Sequence, residues 1–296
     1  MKKLLFVLNP HSGRAHIKNH MLDIIDIFTK GGYITTVYPT QAQFDAYKMI
    51  KESAHKFDLV VVSGGDGTLN EAVRGMMEHP ENERVPLGYI PSGTVNDFAT
   101  SLNIPKTVLE AAETAVSGTP FACDICDFNG TTFNYVAAFG AFTDVSYDTP
   151  QESKNYFGQI AYWLEGMKRL PTLTSYHVKA TLDDTVIEGE FALGMVLNSI
   201  SVAGMRDLTI LADSTLDDGL FEVGLIKMPA NLLQLQSALF NLAQGKKDAE
   251  GYTIIRASKA EFEFDEEVKW TLDGEFGGAC KKADMKILDK AITFIV

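Results

Sequence analysis

Positive charge is in short supply. Only 26 Lys and Arg stand against 39 Asp and Glu, a formal net charge of −13 over 296 residues. Affinity for a nucleic-acid backbone comes from lysines and arginines that displace counterions, so nucleic acid is excluded as the main partner. The same deficit removes any general attraction to an anionic lipid surface, and contact with a membrane has to be local. Cysteine is scarce too. Cys123, Cys126 and Cys280 cannot all pair within one chain, which points to a reducing cytoplasm, and Cys123-Asp124-Ile125-Cys126 lacks the second C-x-x-C of a zinc site. Long apolar runs are missing as well. The one after Met1-Lys2-Lys3 stops at Asn9-Pro10, short of the about 7–15 residues of a signal-peptide core, and none approaches the about 18–20 residues of a membrane span. The sequence therefore implies a soluble protein, without internal repeats or low-complexity tracts. His16 and His20, one helical turn apart with no ligand motif beside them, read as a solvated helix face.

Apolar residues are plentiful, at 46%, enough for a substantial core in two domains. The stretch around 57–77 organises the first. Leu59 to Val62 is a continuous β-branched run of the kind expected in a parallel strand covered on both faces, and it ends in Ser63-Gly64-Gly65-Asp66-Gly67-Thr68. Leu69, Ala72, Val73 and Met76 then recur at helical spacing. Glycines let backbone N–H groups approach a ligand and the following helix start is partly positive, so this turn suits a phosphate. Asp66 would repel a bare phosphate; it makes sense as a helix cap or with Mg²⁺ between. The same strand-turn-helix grammar runs through Lys3 to Leu8 with Ile17 to Phe28, Tyr33 to Tyr38 with Phe44 to His55, and Leu87 to Ile90 before Pro91-Ser92-Gly93-Thr94-Val95-Asn96-Asp97. Alternation of this kind predicts parallel strands, whose carboxyl ends share one edge where such turns converge.

Beyond about Phe128 the pattern becomes alternating strands: Thr132 to Ala138, Tyr176 to Leu182, Val186 to Leu197, Leu220 to Lys227, Thr253 to Ala257, Ala260 to Phe264 and Val268 to Leu272. Helices are expected over Tyr156 to Leu170 and Asn231 to Leu242, and two last strands, Met285 to Leu288 and Ile292 to Val296, return to the first domain. The expected fold is α/β plus β: a three-layer α/β nucleotide-binding domain over 1–127 with about 284–296, and a β-rich, sandwich-like domain over 128–283.

The segments NPHSGR (9–14), GGDGTLNEA (64–72), PSGTVNDFA (91–99), LDDGLFEV (216–223) and LDGE (272–275) together resemble the diacylglycerol kinase catalytic-domain family, in the same order and across nearly the whole chain. The GGDGT motif is shared with NAD kinases and phosphofructokinases; its combination with SGTxND, DDG and DGE points to lipid kinases. The resemblance implies an NAD-kinase- or phosphofructokinase-like first domain and an active site in a cleft between domains. It places ATP against Asn9, Ser12, Gly13, Thr40, Gly64, Gly65, Asp66, Gly67, Thr68, Leu69, Asn70, Ser92, Gly93 and Thr94, with Asn96 and Asp97 beside it. Asp66, Asp97 and Asp124 would hold Mg²⁺, and Thr215, Asp218 and Leu220 an accessory Mg²⁺.

A lipid hydroxyl is a poor nucleophile, so transfer benefits from a carboxylate that takes its proton. Asp273 is the first choice; Glu275 could orient the hydroxyl, hold a second Mg²⁺ or be the base itself. The implied activity is transfer of the γ-phosphate to a lipid hydroxyl, diacylglycerol foremost, by a cytoplasmic protein that visits the inner membrane face transiently. The sequence leaves a homodimer open. Other acceptors (sphingosine-like or phosphatidylglycerol-like lipids), NAD kinase and a non-catalytic nucleotide sensor are the alternatives; the DDG and DGE motifs count against NAD kinase, and retention of Asp273 and Glu275 against the sensor. Tyr156, Phe157, Tyr162 and Trp163 are candidates for acyl-chain contact, and Lys154, Lys168 and Arg169 for a local basic patch. Thr100 and Ala203-Gly204 depart from the family's usual arginine and double glycine, which bears on the acceptor.

Overall fold

The computed structural model describes residues 1–12, 16–140, 174–199, 201–202, 205–206, 214–228, 231, 233–234, 237, 248–249 and 251–296. Five α-helices are described: α1 (Met21–Lys30), α2 (Asp45–Ser53), α3 (Asp66–Met77), α4 (Asp97–Ser101) and α5 (Val108–Ser117). The strands are β1 (Lys2–Leu8), β2 (Tyr33–Pro39), β3 (Leu59–Gly64), β4 (Leu87–Pro91), β5 (Pro120–Phe128), β6 (Thr131–Phe133), β7 (Val136–Gly140), β8 (Tyr176–Leu182), β9 (Thr185–Leu197), β10 (Ser201–Val202), β11 (Met205–Arg206), β12 (Phe221–Lys227), β13 (Asp248–Ala249), β14 (Tyr252–Ala257), β15 (Lys259–Leu272) and β16 (Glu275–Ile295). The chain divides into two compact units, Met1–Ile125 with Asp289–Val296, and Cys126–Leu288. Among the described residues no helix is long and apolar enough to cross a membrane.

The first unit is a parallel sheet in the order β16-β4-β3-β1-β2. Its central strands β3 and β4 are buried at every position, as expected of parallel strands covered on both faces. Helix α1 packs with α5, and α2 with α3. The second pair comes close because Gly75 has no side chain; a Cβ there would lie 2.7 Å from the Tyr47 carbonyl oxygen. The sequence reading overlooked α4, α5 and β5. A signal for α5 was present, a Thr-x-x-Glu capping box in which Thr107 Oγ1 accepts from the Glu110 amide.

The second unit is antiparallel. Long strands β9 and β15 each pair with β7 at one end and with β8 at the other, β12 and β14 extend the sheet from β9, and β16 pairs with β15. Its core centres on Trp270, fully buried with ring centroids of Phe139, Phe128 and Phe262 at 4.9, 5.2 and 5.4 Å.

Three expectations are corrected. The strand expected over 132–138 is broken into β6 and β7 because the amides of Asn134, Tyr135 and Val136 turn toward the Asp273 carboxylate. The pair 260–264 and 268–272 is one strand, β15, with a register shift between Glu263 and Val268. The two terminal strands are one, β16, in which Lys290 takes a left-handed conformation (φ 47°). The expected helix at 156–170, and most of that at 231–242, lie outside the described residues.

Trp270→Ala removes the centre of the second core and is expected to cost about 3–5 kcal/mol. Denaturant unfolding followed by circular dichroism checks this; a loss below about 1 kcal/mol would show that the aromatic cluster is dispensable.

Candidate active site

In the first unit the turns after β1, β3 and β4 are hydrogen-bonded to one another. Asn9 N donates to the Ser63 carbonyl (2.8 Å), and Ser92 N donates to the Gly64 carbonyl (2.8 Å). Thr40, just beyond β2, donates its N–H to the Leu8 carbonyl (2.9 Å). Side chains reinforce the connection: Asn9 Nδ2 donates to Thr68 Oγ1 (3.3 Å), and Ser63 Oγ to Ser92 Oγ (3.3 Å). Glycine is obligatory where the turns touch. A Cβ on Gly93 would lie 2.5 Å from the Gly65 Cα, and one on Gly64 2.4 Å from the Thr68 Cβ.

Asn96, at φ 57°, copies a strand partner with its side chain: Oδ1 accepts from Gly93 N and Nδ2 donates to Gly93 O, both at 3.0 Å. Buried Tyr89 donates its hydroxyl to the Gly64 carbonyl (3.2 Å) and to Asn96 Oδ1 (3.4 Å). Burial, and then the charge of Asp66, raise its pKa well above the ordinary phenol value. Asp66 links the turns, Oδ2 accepting from Asn96 N (3.0 Å) and Oδ1 from Phe98 N (3.4 Å). It therefore caps α4 rather than its own helix.

Burial first, and then the charge of Asp97, push the Asp66 pKa from 3.8 up to about 6, against the amides of Phe98, Asp97 and Asn96. Asp97 is itself 4% exposed. Two neighbouring carboxylates at least partly withdrawn from water, one with its charge disfavoured, form a set of hard oxygen donors that fits a divalent cation such as Mg²⁺. Asp124 is fully buried and its Oδ1 accepts from Lys290 N (2.7 Å), which fixes the bend in β16.

Asn9, Ser12, Thr40, Gly64 to Asn70, Ser92 to Thr94, Asn96 and Asp97 all lie at or just beyond the carboxyl ends of β1 to β4. The Leu69 side chain is fully buried in the core. Gly13 lies outside the described residues, as do Tyr156, Phe157, Tyr162, Trp163, Lys154, Lys168, Arg169 and Ala203-Gly204.

In the second unit Asp273 (φ 51°) and Gly274 (φ 83°) form the two-residue turn between β15 and β16. Asp273 is 8% exposed, whereas Glu275 is exposed. Oδ2 of Asp273 accepts from Asn134 N (2.7 Å) and Oδ1 from Tyr135 N and Val136 N (3.0 Å each).

The segment around Thr215, Asp218 and Leu220 folds around the Asp218 carboxylate. Asp218 accepts from the amides of Thr215 (3.2 Å) and Leu220 (3.0 Å), and Arg256 forms an ion pair with its Oδ2. Arg256 stands directly across the ladder from Glu222 and donates to it through Nε (3.1 Å), and Ser214 Oγ also bonds Glu222. Burial raises the Glu222 pKa; the Ser214 hydroxyl and the Arg256 charge oppose it. With a guanidinium on both acids, an added cation would meet like charge. Together these side chains form an ion triad. Tyr89, Arg256 and the 134–136 amides escaped the sequence reading, although the pairing of Glu222 with Arg256 follows from aligning the two strands.

The family model described as "Diacylglycerol kinase catalytic domain" matches residues 3–128. A protein named diacylglycerol kinase from Bacillus subtilis (strain 168) is 37% identical over 94% of this chain and 91% of its own length. One of the same name from Staphylococcus carnosus (strain TM300) is 34% identical over 94% and 90%. A crystal structure of a candidate diacylglycerol kinase from Bacillus anthracis str. Sterne superposes with a TM-score of 0.83 at 27% identity, over 99% of this chain and 96% of that one.

Two outcomes are expected. Without metal, the native state holds the Asp66 proton more tightly than the unfolded chain does. The stability this gives is complete below about pH 4 and is lost as pH rises through about 6. Asp66→Asn, which cannot ionise, should gain on wild type by about 2–3 kcal/mol across that window in chelator; denaturant titrations at each pH measure the difference. Arg256→Met, which strands buried Glu222, should cost about 2–3 kcal/mol, measured by denaturant unfolding.

Proposed function

The chain belongs to the diacylglycerol kinase catalytic-domain family, and from that membership we propose that it moves the γ-phosphate of ATP to the primary hydroxyl of diacylglycerol, giving phosphatidate and ADP. Lipid kinase activity goes with the family and with relatives matched over nearly their whole length. The observation that carries the finer reading is the mutual hydrogen bonding of the turns after β1, β3 and β4, with the Asp66 and Asp97 carboxylates beside them.

The backbone of Gly64 to Gly67 and Ser92 to Thr94, kept open by glycine, binds the nucleotide phosphates. Asp66 and Asp97 hold Mg²⁺, which when bound offsets the phosphate charge. Asn9 and Thr68 fix the turn edges through their side-chain bond. The Asp273-Gly274-Glu275 turn supplies the carboxylate that takes the hydroxyl proton. The acceptor oxygen bonds to the γ-phosphorus as the bond to the β,γ-bridging oxygen breaks, and the proton passes from the carboxylate to solvent. Orientation and charge compensation supply most of the rate, so rigid turns matter more than any single basic group. The acceptor is met at a membrane surface, which an acidic protein reaches by a local contact.

Purified protein incubated with labelled ATP, Mg²⁺ and mixed micelles should label diacylglycerol. Labelling of sphingosine or phosphatidylglycerol in preference to it would replace the acceptor, and labelling of no lipid would defeat the reading. Gly93→Ala should weaken ATP binding at least about tenfold by calorimetry, because the new methyl forces the two turns apart.

A further inference from the structure

We infer that Phe44 is a platform on which the purine base of the bound nucleotide stacks; this assignment rests on the reading above, in which the first unit binds ATP. Phe44 stands at the N-cap of α2 with φ 64°, in the left-handed region. Both features argue against phenylalanine. A bulky side chain in that region is a conformational outlier, where glycine or asparagine is at ease. An N-cap position calls for a short side chain that accepts from the first amides of the helix, and Phe44 provides none. That role falls to Glu71, whose Oε1 accepts from Phe44 N (2.9 Å) and whose Oε2 accepts from Ala46 N (3.2 Å).

Packing does not explain the residue either. Helix α2 meets the core through Ala46 and Ile50, whereas Phe44 is 39% exposed. A ring that goes against two local preferences and is still left partly in water has a use outside the packing of the chain.

Its place supplies that use. The loop that carries it follows β2 and leaves the sheet at the same carboxyl edge as the glycine turns. At its start Thr40 N donates to the Leu8 carbonyl (2.9 Å), beside Asn9, and at its end Phe44 N is tied to Glu71, next to Asn70 on α3. Between these points Asp45 Oδ2 accepts from Gln41 N (2.8 Å) and Ala42 N (3.0 Å), so the backbone beneath the ring is held. From Asp66 to Glu71 α3 rises about 7.5 Å, and side chains on a helix lean toward its N-terminus, here toward the ligand edge. With the phosphates of ATP on Gly64 to Gly67, the ribose spans this interval and the base meets Phe44. The glycine turns offer backbone amides suited to phosphate and nothing to the face of a base. An exposed aromatic ring supplies that face, and stacking on it requires no further hydrogen bond.

The test measures binding to the full chain without lipid, by calorimetry. Phe44→Gly keeps the left-handed turn and removes the ring. It should weaken ATP binding by about 5- to 100-fold, while inorganic tripolyphosphate, which has phosphates and no base, binds as it does to wild type. Phe44→Tyr should keep the wild-type affinity for ATP. In Phe44→Trp, ATP should change the fluorescence of the new indole beyond any change in wild type, and tripolyphosphate should not. Unchanged ATP affinity in Phe44→Gly overturns the proposal, as does equal weakening of ATP and tripolyphosphate, which would make Phe44 a support of the turn. If Phe44→Gly does not fold, the fluorescence of Phe44→Trp decides, and no response to ATP overturns the proposal. A wild type that binds ATP and labels no lipid defeats the kinase reading and leaves the stacking assignment standing; one that binds no ATP overturns both.

Discussion

The first unit depends on one close contact, glycine against glycine, where the turn after β3 meets the turn after β4. A methyl on Gly93 would sit 2.5 Å from the Gly65 Cα, closer than carbon atoms pack. Everything around the contact assumes it. Ser92 N reaches the Gly64 carbonyl, Tyr89 bridges Gly64 and Asn96, and Asp66 spans to the amides of Asn96 and Phe98. The parallel sheet makes the contact available by ending neighbouring strands on one edge. The glycines convert proximity into interlock, and the polar side chains then fill the positions that the interlock defines.

Asp66 shows how structural and chemical roles share one side chain. As a cap it receives N–H groups from the start of α4, an interaction that favours its ionised form. As one of two acids withdrawn from water it is pushed the other way, and the second effect is larger, with a pKa near 6. A residue needed only as a cap would avoid the neighbourhood of Asp97. The remaining cost to the charged form is the kind that a bound cation offsets. Capping and cation binding are therefore compatible uses of one carboxylate rather than competing descriptions.

Much of this was legible in the sequence. The β-branched runs at 59–62 and 87–90 followed by glycine turns gave the parallel unit and its edge, and the period-two pattern after 174 gave the antiparallel one. What escaped has physical causes. Asn134-Tyr135-Val136 looks like mid-strand because alternation of side chains says nothing about where backbone amides point. The ion pair at Asp218 was hidden because an Asp-rich turn does not announce an arginine 38 residues later. Helix α5 was overlooked although its Thr107-x-x-Glu110 box was in view, since short alanine-rich helices between two obvious motifs carry a weak apolar period.

The Asp-Gly-Glu turn separates what a fold needs from what a reaction needs. An Asn-Gly pair would make the same hairpin equally well, so turn geometry does not explain aspartate at 273. Three converging amides do, because they call for an anion and would leave an amide nitrogen facing N–H groups of its own kind. Aspartate at 273 is thus accounted for before any chemistry is considered. No comparable demand acts on Glu275, which is exposed and unengaged among the described residues.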